Sequence, residues 1–321
     1  MGWRGFLQFR HFVSRSAGRR VTWPGPLLLA CALLGPPGCA RQSSQQAEDS
    51  ETSGRIQVMS VPEARALMAR EIATFVHAYP AARIELLTGT SREAVTSLLE
   101  GRVDLVVLTR ELEPEERTVN VKGGLELTGY RFARDAICVI VNPANPVEHL
   151  ASDQLKGIYL GTITDWSEVG GRRGRIEPVV PAPETDLMAS FQQRVLGGEP
   201  PTAPAFRAAN DSATVARVLA TPGAIGFVSM ASATGDARTL AISALTGLPY
   251  VDVDAEKVYR GDYPLTRFCN LYARSDGPKL ANGLITWVSS IDGQRLVHEA
   301  GLVPTAVPVR FARRSPMLGS H

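Results

Sequence analysis

Six side chains at predicted helix starts and at one strand end carry hydroxyl or guanidinium donors: Ser60, Thr90, Ser91, Thr109, Arg110 and Thr185. Backbone N–H groups at a helix start, hydroxyl groups and one arginine are the groups that hold a small desolvated oxyanion. Three of the predicted helices begin near the carboxyl ends of strands, where open α/β sheets place their ligands. These residues are therefore the candidate ligand-binding set.

The same residue types also fit plain structural roles. The segments Ser60–Glu63 and Thr90–Glu93 both match a capping box, in which a hydroxyl accepts the N–H of the third helical residue and Glu reaches back. Arg110 also fits an exposed loop position, since most arginines are solvated. The residues alone leave both interpretations open.

The elements that must position these residues alternate between helix and strand. A helix is predicted from Pro62 to Pro80, a strand at Arg83–Leu87 and a helix from Ser91 that ends at Gly101. The apolar run Val103–Leu108 is typical of a strand buried on both faces of a parallel sheet. This βαβ rhythm predicts an α/β fold.

The second half of the chain repeats this rhythm. Strands are predicted at Ala136–Val141, Ala224–Ser229 and Leu271–Ala273, and one long helix at Lys279–Ile291. Two X-Pro steps after Val141 favour extended backbone, which suits a crossing between domains.

Length and charge limit the function classes. The 321 residues can form two medium domains, and 44% of them are apolar. Five of the 34 basic residues lie within residues 1–38, which contain no acid, so 29 basic and 32 acidic residues remain after Gly38. This mildly acidic remainder argues against a nucleic-acid partner, which needs a concentrated basic face.

The N-terminal region predicts export. Residues 1–38 combine a basic segment, a short apolar core and a small-residue end, as in a signal peptide, and the core is too short to span a membrane. Gly38 before Cys39 resembles the end of a lipoprotein signal, so Cys39 is the predicted lipidation site. An uncleaved signal anchor is the alternative. Either way the body lies outside the cytoplasmic membrane, and the polar residues 39–54 are predicted to form a flexible tether.

Two cysteines remain in the body, Cys138 and Cys269. They are far apart in the sequence and have no metal-binding spacing, so no metal site is expected. We expect two buried free thiols, with a disulfide as the alternative.

Several short motifs then occur in one order along the body: Arg134–Ile137, Gly157–Gly161, Ile163–Gly171, Pro222–Phe227, Tyr263–Arg267 and Gly301–Pro304. In this order they resemble the phosphate-binding proteins of ABC transporters. The resemblance runs from residue 55 to about residue 305.

The resemblance implies a type II periplasmic-binding-protein fold, in which two α/β lobes are joined by two crossing strands and the ligand binds between them. Lobe 1 would contain residues 55–137 and 236–321, and lobe 2 residues 138–235. It also implies a monomer without cofactors that carries phosphate or a related oxyanion to a membrane permease. Ser91 falls on the ligand-contacting serine of the family, and Thr109-Arg110 matches its Ser-Arg pair.

The sequence departs from the family at the third helix start. Thr185-Asp186-Leu187 stands in place of the family's Ser-Gly-Thr, and Pro181 in place of its arginine. Glu184 and Asp186 bring negative charge to that helix start, which predicts weakened phosphate binding.

This departure leaves three alternatives to a phosphate carrier. The first is a relative with another ligand or a sensor or adaptor role. The second is an envelope protein that has lost its ligand. The third is a secreted hydrolase that uses Ser91, although no recognisable base motif accompanies it.

Overall fold

The computed structural model describes residues 49–117, 126–233 and 235–305. The predicted signal peptide, residues 1–38, and the predicted lipidation site Cys39 lie outside the described residues. Within the described residues, no helix combines the length and the apolar character that a membrane crossing requires.

Strands and helices alternate as the sequence predicts. The strands are β1 Gly54–Ser60, β2 Ala82–Thr88, β3 Leu105–Leu108, β4 Leu127–Val141, β5 His149–Ala151, β6 Glu177–Pro181, β7 Phe206–Ala208, β8 Ala224–Ser229, β9 Arg238–Thr239, β10 Ala241–Ser243, β11 Thr266–Arg274 and β12 Val303–Pro304. The helices are α1 Pro62–Ala78, α2 Ser91–Leu99, α3 Ser152–Leu160, α4 Asp186–Arg194, α5 Asp211–Ala220, α6 Ala255–Arg260, α7 Lys279–Val288 and α8 Ile291–Glu299. Two short 3-10 helices span Trp166–Val169 and Met230–Ser232.

The first lobe is built on the strand order β2-β1-β3-β11-β4. Strands β1, β2 and β3 run parallel, and β11 joins β3 in the antiparallel direction. All four residues of β3 are buried, because strand neighbours flank it on both sides and helices cover its faces. Phe75, Leu98 and Leu284 bring three helices into one apolar core with this sheet.

The second lobe continues the strand order as β4-β8-β6-β7. Strands β6, β7 and β8 are parallel, and β8 is antiparallel to β4. Its core is separate from the first and contains a stacked pair of rings, Phe191 and Phe227, whose centroids are 3.9 Å apart. The two cores confirm the predicted two-lobed α/β fold.

One strand belongs to both lobes. The first part of β4 pairs with β11, ending at Ala136 opposite Thr266, and the next residue, Ile137, pairs with Ser229 of β8. The chain returns just before β11, where the N–H of Ile137 donates to the carbonyl of Leu265. Buried residues from Ala237 to Leu265 belong to the second core. The cores therefore favour a return crossing near residue 265 and not at 236, where the sequence analysis places it.

Two local predictions need correction. The predicted helix Lys279–Ile291 is two helices, because the hydroxyl of Ser290 accepts the N–H of Gly293 and starts α8. Residues 49–54 fall within the predicted tether, but β1 begins at Gly54 and the carboxylate of Asp49 accepts the N–H of Lys279 at 3.1 Å. The end of that segment therefore packs on the first lobe.

Both body cysteines are free thiols. Cys138 lies in β4 and Cys269 in β11, and both are buried. Burial raises the pKa of each thiol well above its ordinary value. The prediction of two buried free thiols is confirmed.

Candidate functional site

Three predicted ligand-binding residues of the first lobe meet at one carboxylate of the second lobe. The Asp186 carboxylate accepts the Ser91 hydroxyl on Oδ1, and on Oδ2 it accepts the Thr109 N–H at 2.7 Å and the Thr109 hydroxyl at 3.3 Å. The Arg110 Nε lies 3.4 Å from Oδ1. We call these four residues the inter-lobe anion cluster.

The inter-lobe anion cluster is withdrawn from solvent. Relative exposure is 4% for Ser91, 3% for Thr109, 9% for Arg110 and 2% for Asp186. A carboxylate is stable at such burial only when hydrogen bonds and positive charge satisfy it. The donors of the first lobe therefore hold a carboxylate, and that carboxylate belongs to the protein itself.

Ser91 is positioned by the start of α2. The Thr90 hydroxyl accepts the Glu93 N–H at 3.3 Å, and the Glu93 carboxylate accepts the Thr90 N–H at 2.8 Å. This confirms the predicted capping box. The hydrogen bonds that the Thr90 N–H and hydroxyl donate to the Glu93 carboxylate lower the pKa of Glu93. Thr90 thus serves the helix start, while Ser91, the first helical residue, points its hydroxyl across to Asp186.

Thr109 and Arg110 follow the end of β3, as their position after the apolar run predicts. Arg110 makes a two-pronged ion pair with Glu116, with both N–O distances 2.8 Å, and Glu113 lies 3.8 Å away. Burial alone would lower the pKa of Arg110, but Glu116, Asp186 and Glu113 raise it overall. One guanidinium therefore faces three carboxylates.

Asp186 is the first residue of α4. Thr185 caps this helix, because its hydroxyl accepts the Met188 N–H at 3.3 Å and donates to the Ala182 carbonyl at 2.8 Å. Asp186 is therefore not needed as the cap. Its own N–H donates to the Glu63 carboxylate of the first lobe at 3.1 Å, which adds a fourth hydrogen bond between Asp186 and that lobe.

A buried ion pair supports Thr109 from behind. The Arg267 guanidinium donates to the Thr109 hydroxyl at 3.2 Å and lies 2.6 Å from the Asp135 carboxylate. Desolvation opposes the charge on Arg267, but Asp135 raises the pKa of Arg267 above its ordinary value. The Arg267 guanidinium therefore contacts both the Asp135 carboxylate and the Thr109 hydroxyl.

A cavity of about 430 Å³ adjoins the cluster and is lined by both lobes. Glu63 and Leu67 line it from the first lobe, Asp211 and Ser229 from the second. Desolvation raises the pKa of Glu63, and the negative charge of Asp186 adds to the increase. Desolvation also raises the pKa of Asp211. The carboxylates in this wall oppose a second anion beside the first.

The other predicted site residues lie outside the cluster. The hydroxyl of Ser60 is buried and donates to the carbonyl of Val61, and Val61 is the N-cap of α1. The capping box predicted for Ser60 and Glu63 is therefore wrong, because Glu63 instead accepts the N–H of Asp186. Thr90 and Thr185 use their hydroxyls as helix caps, although Thr185 also lines the cavity.

Sequence reasoning missed the roles of three acids. It placed Glu184 and Asp186 together as repulsive charges, but Glu184 is exposed and only Asp186 enters the cluster. Glu116 follows Arg110 by six residues, so no helical spacing pointed to their pairing. The available signal for Asp186 was an acid directly after a Thr cap, at a helix start expected to face the cleft.

The donors of the cluster suit an oxyanion rather than a metal. Among residues 49–117, 126–233 and 235–305, no group of three or more His, Cys, Asp or Glu side chains could hold a metal ion. The Ser91 hydroxyl donates to the Asp186 carboxylate, which also accepts the Thr109 N–H and lies beside the Arg110 guanidinium.

Comparison with known proteins agrees with this architecture. The model of the PBP superfamily domain matches residues 45–291. The phosphate-binding protein PstS of Bacillus subtilis is 26% identical over 282 residues, which cover 86% of this chain and 90% of the relative. The corresponding protein of Pseudomonas aeruginosa PAO1 is 23% identical over 286 residues, which cover 83% of this chain and 87% of the relative.

A solved structure shows the same fold. An ABC-type phosphate transport receptor from Vibrio cholerae superimposes with a TM-score of 0.68 at 24% identity, covering 77% of this chain and 99% of that one. At this identity the likeness concerns the fold.

Proposed function

Because this chain belongs to the PBP superfamily, we propose that it is an extracytoplasmic solute-binding protein that carries phosphate or a related oxyanion to the permease of an ABC-type importer. The single observation that carries this proposal is the bound Asp186 carboxylate. Ser91, Thr109 and Arg110 already hold one oxyanion in a buried site between two lobes. The relatives named as phosphate-binding proteins support the ligand class, and the ABC-type phosphate transport receptor of the same fold supports the transport role.

The donor types support an oxyanion ligand. A hydroxyl at a helix start, a backbone N–H and a guanidinium complement negative oxygen atoms whether these belong to a carboxylate or a phosphate. The geometry of the cluster is thus transferable from Asp186 to a free anion. The proposed site residues are Ser91, Thr109 and Arg110; Ser60, Thr90 and Thr185 support the backbone around them.

The site is tested by following the Thr109 amide resonance by NMR during titration with phosphate, sulfate and molybdate. We expect a saturable shift of the Thr109 amide with at least one anion, because its N–H is a direct ligand donor. The variant Glu184→Gln is the control, since Glu184 is exposed and outside the cluster. Absence of a saturable shift with all three anions, in the wild type and in Asp186→Ala, would overturn the proposed ligand class.

A changed ligand or a sensor role is the second candidate. It is favoured by the three carboxylates that surround Arg110 and by the acids Glu63 and Asp211 in the cavity wall. Saturable binding of another solute, with no binding of phosphate, sulfate or molybdate, would select this alternative. A hydrolase would instead require turnover of a chromogenic phosphoester that disappears in Ser91→Ala.

We also propose that the protein is held at the membrane by a lipid on Cys39. The support is the sequence pattern around Gly38-Cys39. Mass spectrometry of the mature protein from membranes is expected to show a diacylglycerol adduct on Cys39. A release of the protein from the membrane fraction in Cys39→Ala is the second expected result, and unchanged membrane association contradicts the anchor.

A further inference from the structure

We propose that Asp186 is a built-in competitor that occupies the anion site and latches the two lobes together, so that an external oxyanion binds by displacing it. This inference rests on the proposed oxyanion-binding function and concerns the regulation of the same site. Four observations carry it: the number of available donors, the connection between the lobes, the local role of Asp186 and the charge around Arg110.

The donors of the site are already used. The Ser91 hydroxyl and the Thr109 N–H each have one hydrogen to donate, and both hydrogens go to the Asp186 carboxylate. A free phosphate cannot receive these hydrogen bonds while Asp186 keeps them. Binding in this site is therefore an exchange of one oxyanion for another.

The exchange also affects the contact between the lobes. Asp186 starts α4, whose residues Leu187 and Phe191 belong to the second core, whereas the strand before Thr109 belongs to the first core. The carboxylate bonds and the bond from the Asp186 N–H to Glu63 thus join the lobes without a ligand. In this arrangement the cleft is closed by a side chain of the protein itself.

Neither capping of α4 nor the dipole of that helix explains why Asp186 is buried. Thr185 provides the cap of α4, and an acid at the first helical position gains only a modest favourable interaction with the helix dipole when it is exposed. Glu184, two residues earlier, remains exposed. The burial of Asp186 is therefore explained by the donors of the opposite lobe.

The charge around Arg110 makes the competition effective. Glu116 and Glu113 neutralise Arg110 from its own lobe, so little positive charge remains to attract a free anion. An internal competitor also acts at the high effective concentration of an intramolecular contact. The apparent Kd for a free anion equals the intrinsic Kd divided by the fraction of molecules in which Asp186 has left the site.

The test compares phosphate binding by the wild type, Asp186→Ala, Asp186→Asn and Asp186→Ala/Ser91→Ala, measured by isothermal titration calorimetry. We expect at least a tenfold tighter Kd for phosphate in Asp186→Ala than in the wild type, because the donors become free. Asp186→Asn keeps the side-chain size and protects the result against a folding defect. Its carbonyl oxygen can still accept one of the two hydrogens from Ser91 and Thr109, but its N–H₂ cannot accept the other and the negative charge is gone, so a smaller gain in affinity is expected there. The double variant is expected to lose much of the gain, and Glu184→Gln to leave Kd unchanged.

Small-angle X-ray scattering without ligand gives an independent measurement. Loss of the Asp186 carboxylate is expected to open the lobes and increase the radius of gyration, while Glu184→Gln leaves it unchanged. A wild-type phosphate affinity equal to that of Asp186→Ala overturns the competitor while the oxyanion function stands. Opening of the lobes in Asp186→Ala without binding of any oxyanion supports the latch and overturns the proposed function. If Asp186→Ala shows no opening and no tighter phosphate binding, the latch is overturned.

Discussion

The Arg267 guanidinium and the Asp135 carboxylate form a buried ion pair, with Nη2 and Oδ2 2.6 Å apart, where the chain passes between the lobes. Asp135 also accepts the N–H groups of Ala136 and Met230 and the hydroxyl of Ser229. The pair thus connects β11 and β4 with the end of β8. It also holds the Thr109 hydroxyl of the inter-lobe anion cluster.

Removal of Arg267 is expected to destabilise the protein strongly. Arg267→Met leaves the Asp135 carboxylate buried without its counter-ion, which typically costs about 3–5 kcal/mol. Urea unfolding monitored by circular dichroism measures the change in unfolding free energy. The control is Lys156→Ala, which breaks an exposed pair with Glu199 and is expected to cost less than about 1 kcal/mol. Equal losses in the two variants would contradict the structural role of Arg267.

The pKa of Glu63 depends on the charge of Asp186 across the cleft. Desolvation is the main cause of its raised pKa, and Asp186 is the second. In Asp186→Asn we expect the pKa of Glu63 to fall toward its ordinary value, because the negative charge of Asp186 is lost and opening of the lobes hydrates the Glu63 carboxyl. The measurement is a pH titration of the side-chain carboxyl ¹³C resonance. No change in Asp186→Asn would show that the two carboxylates are farther apart than the structure places them.

Glu71 is expected to make the protein less stable as the pH rises. It is fully buried in α1, and burial raises its pKa to about 8, an increase that the Trp287 indole only partly offsets. The pKa in the unfolded chain is about 4.3. Between these values the folded protein keeps a proton that the unfolded chain releases, so the unfolding free energy falls as the pH rises from about 4.3 to 8.

Urea unfolding at several pH values in this window tests the prediction. Glu71→Gln keeps the shape and cannot ionise, so its stability is expected to fall less with pH than that of the wild type. Glu126→Gln, an exposed site, is the control and is expected to follow the wild-type profile. Parallel profiles for the wild type and Glu71→Gln would mean that Glu71 does not titrate in this range.

Gly283 of α7 allows the segment before β1 to pack closely. A Cβ at this position would overlap the carbonyl oxygen of Glu51. Gly283→Ala is therefore expected to displace residues 49–53 and to speed hydrogen exchange there, despite the higher helix propensity of Ala. Gly235→Ala, where a Cβ meets nothing within 4 Å, is the control. Unchanged exchange at residues 49–53 in Gly283→Ala would contradict this packing.

Local sequence patterns predicted many of the helices and strands that position the site. The capping box at Thr90, the buried strand before Thr109 and the strand Ala136–Val141 depend on short-range hydrogen bonding and apolar runs, which a sequence displays directly. The crossing itself lies at Ala136 and Ile137, and not at the X-Pro steps after Val141. These elements bring Ser91, Thr109 and Arg110 to one edge of the sheet. The convergence of these three donors could therefore be anticipated.

The failures have longer-range causes. Ser60 fits a capping box by spacing, but Glu63 is recruited by a backbone N–H of the other lobe, 123 positions along the chain. The helix predicted through Ile291 is interrupted because Ser290 starts a new helix. The bond between Ser91 and Asp186 spans 95 positions, and nothing in either local sequence specifies it.

The shared strand β4 also limits how the lobes can move. Ala136 pairs with β11 and the next residue pairs with β8, so no unpaired length separates the two halves of the sheet. Rotation about the backbone torsions near residues 136 and 137 can change the angle between the lobes. A translation that pulls them apart would break strand hydrogen bonds. Any widening of the cleft is consequently a rotation at the two adjacent crossings, near Ala136 and near Leu265.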